Sequence, residues 1–234
     1  MTDINAISED GKTPLMQAIE MNANLEALRL LIESDADVNA VDKDGWTPLM
    51  FAASYNTNPE VLRVLIEKGA TINSFDKAGC TPLMFAARNN ANPKVLQFLI
   101  ENGVDVNATN RYGWIALVFA ARRNSNPEVL QFLIENGADV NAIDEAGKTP
   151  LIHATEHNTN PEILRVLMAN GADAGIKDED GKQALDYAKK NKKLKGTEAY
   201  KLLRKKSLIK KAKKLKGTEA KKLLRKKGLK KQKK

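Results

Sequence analysis

The chain is short of several things. Its 234 residues include one cysteine and two histidines, and aromatic residues make up 5%. The single cysteine, Cys80, cannot form an internal disulfide, so packing and hydrogen bonds must hold the fold, and a reducing compartment fits. No apolar run approaches the ~20 residues that a membrane-spanning helix needs. The first ten residues, MTDINAISED, are acidic and polar and lack the basic and apolar pattern of a secretory signal. There is no glycine-rich phosphate loop, because the glycines are widely and evenly spaced. No catalytic constellation and no cofactor motif emerges, so a non-enzymatic, cytoplasmic protein is expected, or a nuclear one if the source is eukaryotic.

What is present is a period. Gly11, Gly45, Gly79, Gly113, Gly147 and Gly181 each stand 34 residues after the last. Around each glycine the same order recurs, shown most clearly by residues 44–76: a turn, Thr47-Pro48 opening a helix, Asn58-Pro59-Glu60 opening a second, and Gly69 closing it. Leu49, Ala52 and Ala53 share one side of the first helix, and Val61, Leu62, Leu65 and Ile66 form the stripe of the second. A unit this small cannot shelter its own apolar stripe, so neighbouring units must cover one another.

Residues 1–8 read as the end of a preceding repeat, and 9–206 as six repeats whose first and last are caps. The first carries Asp35 at its helix end where later repeats have glycine, and Gln17 where they have Phe51, Phe85 and Phe119. The fourth has Ile115-Ala116 in place of Thr-Pro and so loses a cap worth ~1 kcal/mol, and its first helix is expected to begin loosely. In the sixth, a second helix is expected from Thr197 to Lys205, with Ala199, Leu202 and Leu203 inward. Residues 207–234 form a lysine-rich extension. Within it Leu208, Ile209 and Ala212 suggest a rudimentary helix, and Thr218 to Lys227, which repeats the Thr197 segment 21 residues on, suggests its partner.

The unit resembles the ankyrin repeat. The resemblance rests on Gly-x-Thr-Pro-Leu (Gly45 to Leu49, Gly79 to Leu83, Gly147 to Leu151), on the alanine pairs Ala52-Ala53, Ala86-Ala87 and Ala120-Ala121, and on Asn-Gly-Ala-Asp-Val-Asn-Ala from Asn136 to Ala142. It implies an all-α, ankyrin-type helix-turn-helix solenoid with short hairpin connections. Two departures stand out. The repeat exceeds the usual length of about 33 by one residue, in the loop between the helices. The histidine that often follows Thr-Pro-Leu is Met16, Met50, Met84, Val118 or Ile152 here, so its side-chain bonds are expected to be absent.

The resemblance also implies that a protein partner binds on the concave face, made of turn tips and the exposed side of each first helix. By register, that face holds Trp46, Tyr55, Arg88, Tyr112, Trp114, Arg122, Arg123 and His157. Aromatics and arginines are enriched in binding hot spots. At roughly 10 Å per repeat, the two indoles would lie ~20 Å apart; the alternative is that each tryptophan only packs on its own turn. His153 and His157, four apart with Glu156 beside them, have the spacing that brings two imidazoles to one metal. Because His153 occupies the phenylalanine register and should point inward, and the set falls short of four ligands, no metal site is expected.

Charge is divided. Residues 189–234 hold 23 of the 38 basic residues but only two of the 29 acidic ones, Glu198 and Glu219, which puts +21 there against −12 on residues 1–188. Such a tail can serve as a solvated cap, a targeting address, or a tether to nucleic acid or an anionic membrane. The tether reading rests on Lys205, Lys206, Lys210, Lys211, Lys213, Lys214, Lys221, Lys222, Arg225, Lys226 and Lys227. The chain is expected to act as a monomer.

Overall fold

A computed structural model describes residues 3–213. Among them are twelve helices: α1 (Pro14–Glu20), α2 (Leu25–Glu33), α3 (Pro48–Tyr55), α4 (Pro59–Glu67), α5 (Pro82–Asn89), α6 (Pro93–Glu101), α7 (Ala116–Arg123), α8 (Pro127–Glu135), α9 (Pro150–His157), α10 (Pro161–Ala169), α11 (Ala184–Ala188) and α12 (Glu198–Lys213). Strand pairing among the described residues is limited to an isolated bridge between Lys177 and Gln183. The class is all-α, a helical-repeat fold. The chain divides into two compact units, Met1–Asp139 with α1–α8 and Val140–Lys234 with α9–α12.

In the N-terminal unit the first helices pack in a row, α1 on α3, α3 on α5 and α5 on α7, and the second helices form a parallel row, α2 through α8. A first helix has neighbours on several sides, and every residue of α3 from Pro48 to Ser54 is buried. Such crowding requires small side chains, and Ala52, Ala53, Ala86 and Ala87 are fully buried. The second helices bury one stripe only. In α4, Val61, Leu62, Val64 and Leu65 are inside, while Arg63 and Glu67 face water. In the C-terminal unit α9 packs on α10 and α11, and α12 covers α10 and α11.

Asparagine joins one repeat to the next. Asn90, at the end of α5 and 2% exposed, donates from Nδ2 to the carbonyls of Ala53 (3.1 Å) and Asn56 (2.8 Å) in the preceding repeat. Asn124 does the same to Ala87 and Asn90, and in the C-terminal unit Asn191 to Thr155 and Asn158. In the following loop Asn92 and Asn126 donate to Thr57 and Ala91, while their Oδ1 atoms cap α6 and α8. In this Asn-x-Asn-Pro loop two asparagines divide the work. A third ladder runs past the second helices: Asn39 Nδ2 donates to the Gly69 carbonyl and its Oδ1 accepts from Thr71, a pattern repeated by Asn5, Asn107 and Asn141. Carbonyls at helix ends have no partner within the helix, and these amides supply one.

Three local expectations change. The methionine after Thr-Pro-Leu does make a bond: the N–H of Thr47 donates to Met50 Sδ at 3.5 Å, and that of Thr81 to Met84 Sδ at 3.4 Å. The loose start of the fourth repeat is absent. α7 has eight residues, like α3, α5 and α9, although Ile115 makes no side-chain cap bond. Ile115 is 2% exposed, and burying such a side chain gains about 1.5–3 kcal/mol against the ~1 kcal/mol of the missing cap.

The third change is in the last helix. Thr197 Oγ1 accepts from Tyr200 N–H and caps it, but the helix runs on past Lys205 to Lys213. No glycine or proline interrupts residues 206–213, and Leu203 and Ala212 are both buried. Leu208, Ile209 and Ala212 therefore ride on α12 instead of starting a partner helix, and Leu202 is 38% exposed where an inward position was expected. The Thr218 to Lys227 segment lies outside the described residues.

Candidate partner-binding face

Each hairpin is built by one side chain. Asp42 Oδ1 accepts from the N–H groups of Asp44 and Trp46, and Asp76, Asn110 and Asp144 do the same in later repeats. Gly45 follows with φ of 86°, and a Cβ there would come within 3.0 Å of the Lys77 backbone nitrogen. The next hairpin is that close because its backbone bonds to this one: Lys77 N–H donates to the Asp44 carbonyl and Arg111 N–H to that of Ala78. The tips of the N-terminal unit are thus held in register, and Lys43, Lys77 and Arg111 at their crests are exposed. The Lys77 ammonium itself reaches the Lys43 carbonyl.

The residue after the turn glycine reaches the ring on the first helix of the following repeat. Lys12 Nζ lies over Phe51 at 5.3 Å, Trp46 meets Phe85 at 4.0 Å, and Lys148 Nζ lies over Tyr187 at 5.0 Å. Trp46 stands nearer to Phe85 than to Phe51, which is 5.1 Å away. Trp46 also stacks with Tyr55 at 6.3 Å. Trp114 gathers Phe119 at 5.3 Å, Tyr112 at 6.3 Å and the Arg122 guanidinium at 5.1 Å. The expected face residues of this unit therefore fall into two aromatic clusters. Both indoles are half-buried, Tyr55 and Tyr112 are exposed, and Arg88 and Arg123 lie near the ends of α5 and α7.

Charge separates across the N-terminal unit. In residues 42–139 the hairpins and first helices carry Lys43, Lys77, Arg88, Arg111, Arg122 and Arg123 against Asp44 and the two turn-building acids Asp42 and Asp76, the latter buried. The second helices and the loops after them carry seven acidic residues against Arg63, Lys68 and Lys94. The C-terminal unit has Glu145, Glu179 and Asp180 at its hairpin tips.

The remaining candidates fall as follows. Cys80 is 6% exposed, and burial pushes its thiol above the usual range, so it is not an activated nucleophile. His153 is 1% exposed, and its Nε2 lies 2.7 Å from Asp144 Oδ2. His157 is exposed near the end of α9, in the C-terminal unit. Of the tail lysines, Lys206 donates to the Met168 carbonyl and Lys210 pairs with Asp173, so both turn back onto their own unit, while Lys205 and Lys211 are exposed. Lys213 ends α12; Lys214, Lys221, Lys222, Arg225, Lys226 and Lys227 lie outside the described residues. The asparagine ladders escaped sequence reasoning, although Asn56, Asn90, Asn124 and Asn158 recur at the period and could have been noticed.

The family model for ankyrin repeats matches three times, over residues 1–76, 74–144 and 117–214. The chain belongs to the ankyrin repeat family. No curated protein matches it. Ankyrin repeats are in general protein–protein interaction modules, and ankyrin-repeat proteins are typically scaffolds that perform no catalysis. No described helix of this ankyrin-repeat chain is long and apolar enough to cross a membrane.

Proposed function

We propose that this ankyrin-repeat protein binds an acidic segment of another protein on the hairpin and first-helix side of its N-terminal unit, the concave face of the family. The observation that carries the proposal is the separation of charge: six basic residues collect on that side of residues 43–139, within a body that is acidic as a whole. Trp46–Tyr55 and Trp114–Tyr112–Arg122 supply the amphipathic anchors, with Tyr55 and Tyr112 reaching solvent. Paired hairpins and first helices buried along most of their length hold these groups before the partner arrives, which lowers the entropic cost of binding. Charge of opposite sign speeds encounter and selects the partner more than it adds affinity.

The test is selection of peptides from a random displayed library on the full chain, followed by titration of the selected peptides. Enrichment of Asp and Glu is expected, with affinity falling at least about tenfold when Arg123 and Arg111 are changed to Glu, a loss of roughly 1.4 kcal/mol. Tyr112→Ser should weaken binding further without moving the melting temperature. Selected peptides with no acidic bias, or affinity indifferent to these exposed changes, would overturn the reading.

A further inference from the structure

We infer that His153, Glu156 and His157 of α9 form a binding site for a divalent transition-metal ion, with Asp144 as the group that orients His153. One ligand atom from each of the three residues lies within 4.8 Å of the other two. Four residues are slightly more than one helical turn, so His153 and His157 stand one above the other, their rings 6.5 Å apart and within 23° of parallel. Glu156 leans into the same space, its Oε2 3.4 Å from His157 Nε2. A zinc ion with bonds of about 2.0–2.2 Å needs these donors drawn together by roughly 1 Å, which side-chain rotation of Glu156 and His157 supplies. Both stand on the accessible side of the helix, so the ion has a path in.

The second layer is already built. A histidine that binds a metal through one nitrogen almost always gives its other N–H to a carboxylate, which sets the tautomer and raises the basicity of the ligand. Asp144 Oδ2 is 2.7 Å from His153 Nε2, and both side chains are nearly excluded from water. With that proton held by Asp144, the lone pair sits on Nδ1, and Nδ1 is the ligand. Asp144 is in turn held by its other oxygen, which accepts from the N–H groups of Ala146 and Lys148. Two imidazoles and one carboxylate suit zinc, copper, nickel or cobalt over magnesium or calcium. Three protein ligands leave a fourth position for water. Lys148 is the competitor: its ammonium pairs with Glu156 Oε2 at 2.7 Å, and a metal must displace it.

The repeat supplies controls that keep the fold. Phenylalanine stands at the His153 register in Phe51, Phe85 and Phe119, so His153→Phe restores a residue that this scaffold already accepts. Asn110 makes the same two turn bonds as Asp144, so Asp144→Asn keeps the hairpin and loses only the acceptor for His153. His153 and His157 are the only histidines in the chain, so background binding is low. The experiment is competition for Zn²⁺ between the full chain and a chromogenic chelator, with Co²⁺ absorption as a second readout. One Zn²⁺ per chain is expected, with a Co²⁺ spectrum of four-coordinate intensity. His157→Ala and His153→Phe should each abolish saturable binding. Asp144→Asn should weaken it 10–100-fold, the effect usual for a lost outer partner. Lys148→Met, which removes the competing charge and keeps the stem, should tighten it. Absence of a 1:1 complex in the unaltered chain overturns the inference, as does binding that survives His153→Phe or is indifferent to Lys148→Met.

Discussion

The two units use one scaffold for different ends. In the N-terminal unit the ring register holds Phe51, Phe85 and Phe119, and the hairpin crests carry Lys43, Lys77 and Arg111. In the C-terminal unit the same registers hold His153 and Tyr187, and the crests carry Glu145 and Glu179. The change of ring decides what happens to the hairpin acid nine residues earlier. His153 and the Tyr187 hydroxyl meet the second oxygen of Asp144 and Asp178, a bond that phenylalanine cannot make to Asp42 or Asp76. One unit therefore exposes aromatic and cationic groups on its hairpins and first helices, and the other keeps a polar network of its own. The hairpins and caps are common to both, so the scaffold stays constant while its exposed registers vary.

The sharpest way to break this comparison is through the ladders that both units share. Asn90 is buried and Asn191 is half-buried, yet each donates to two carbonyls of the preceding repeat. Asn90→Ala strands two buried carbonyls and should cost about 2–4 kcal/mol in urea unfolding. Asn191→Ala, nearer to water, should cost roughly half as much because water replaces part of what is lost. Equal costs would mean that burial is not what makes the ladder matter.

A smaller effect tests the ring register. His153→Phe leaves Asp144 Oδ2 without the imidazole, and unfolding should show a loss of about 1–2 kcal/mol with the transition still cooperative. Phe85→His should cost more, about 2–3 kcal/mol, because Phe85 carries the contact with Trp46. The reverse order would place the weight on the polar pair instead of the aromatic cluster.

Smaller still is the exchange at the fourth helix start. Ile115→Thr keeps one methyl group, so it gives up about 1–2 kcal/mol of the apolar burial for a cap worth about 1 kcal/mol, and the net loss should be about 0–1 kcal/mol. Thr81→Ala in the neighbouring repeat gains nothing in return and should cost about 1 kcal/mol by thermal melting. The smallest effect concerns Cys80. Its thiol is buried and its pKa is raised chiefly by that burial, so alkylation at pH 8 should be slow in the folded chain and rapid in denaturant.

Much of this was legible in the chain. The 34-residue spacing of the turn glycines, the Thr-Pro and Asn-Pro starts and the stripe from Val61 to Ile66 identify repeats of two helices, because caps and periodicity are local properties. The inward position of His153 followed from its register alone. Other features were hidden because they depend on what lies one repeat away. Asn90 reads as a loop residue until the carbonyls of Ala53 and Asn56 are seen beside it. Met50 reads as a lost histidine until its sulfur is found at the Thr47 N–H. Trp46 gives no sign that its nearest ring is Phe85, because that ring belongs to the following repeat. The run of α12 past Lys205 was obscured by a cluster of like charges that looks hostile to a helix, although no residue there stops one.

By itself, then, the amino-acid order determined the repeat, its period, the helix starts, the apolar faces and the unequal spread of charge, all of which arise from interactions within about one turn of a helix or hairpin. Only the tertiary structure decided which carbonyls the asparagines reach, which rings the slot residues cover, and that Glu156, His157 and Asp144 gather around His153. Those pairings link groups separated by a helix or by a whole repeat, and the distance between them is set by how the helices stack.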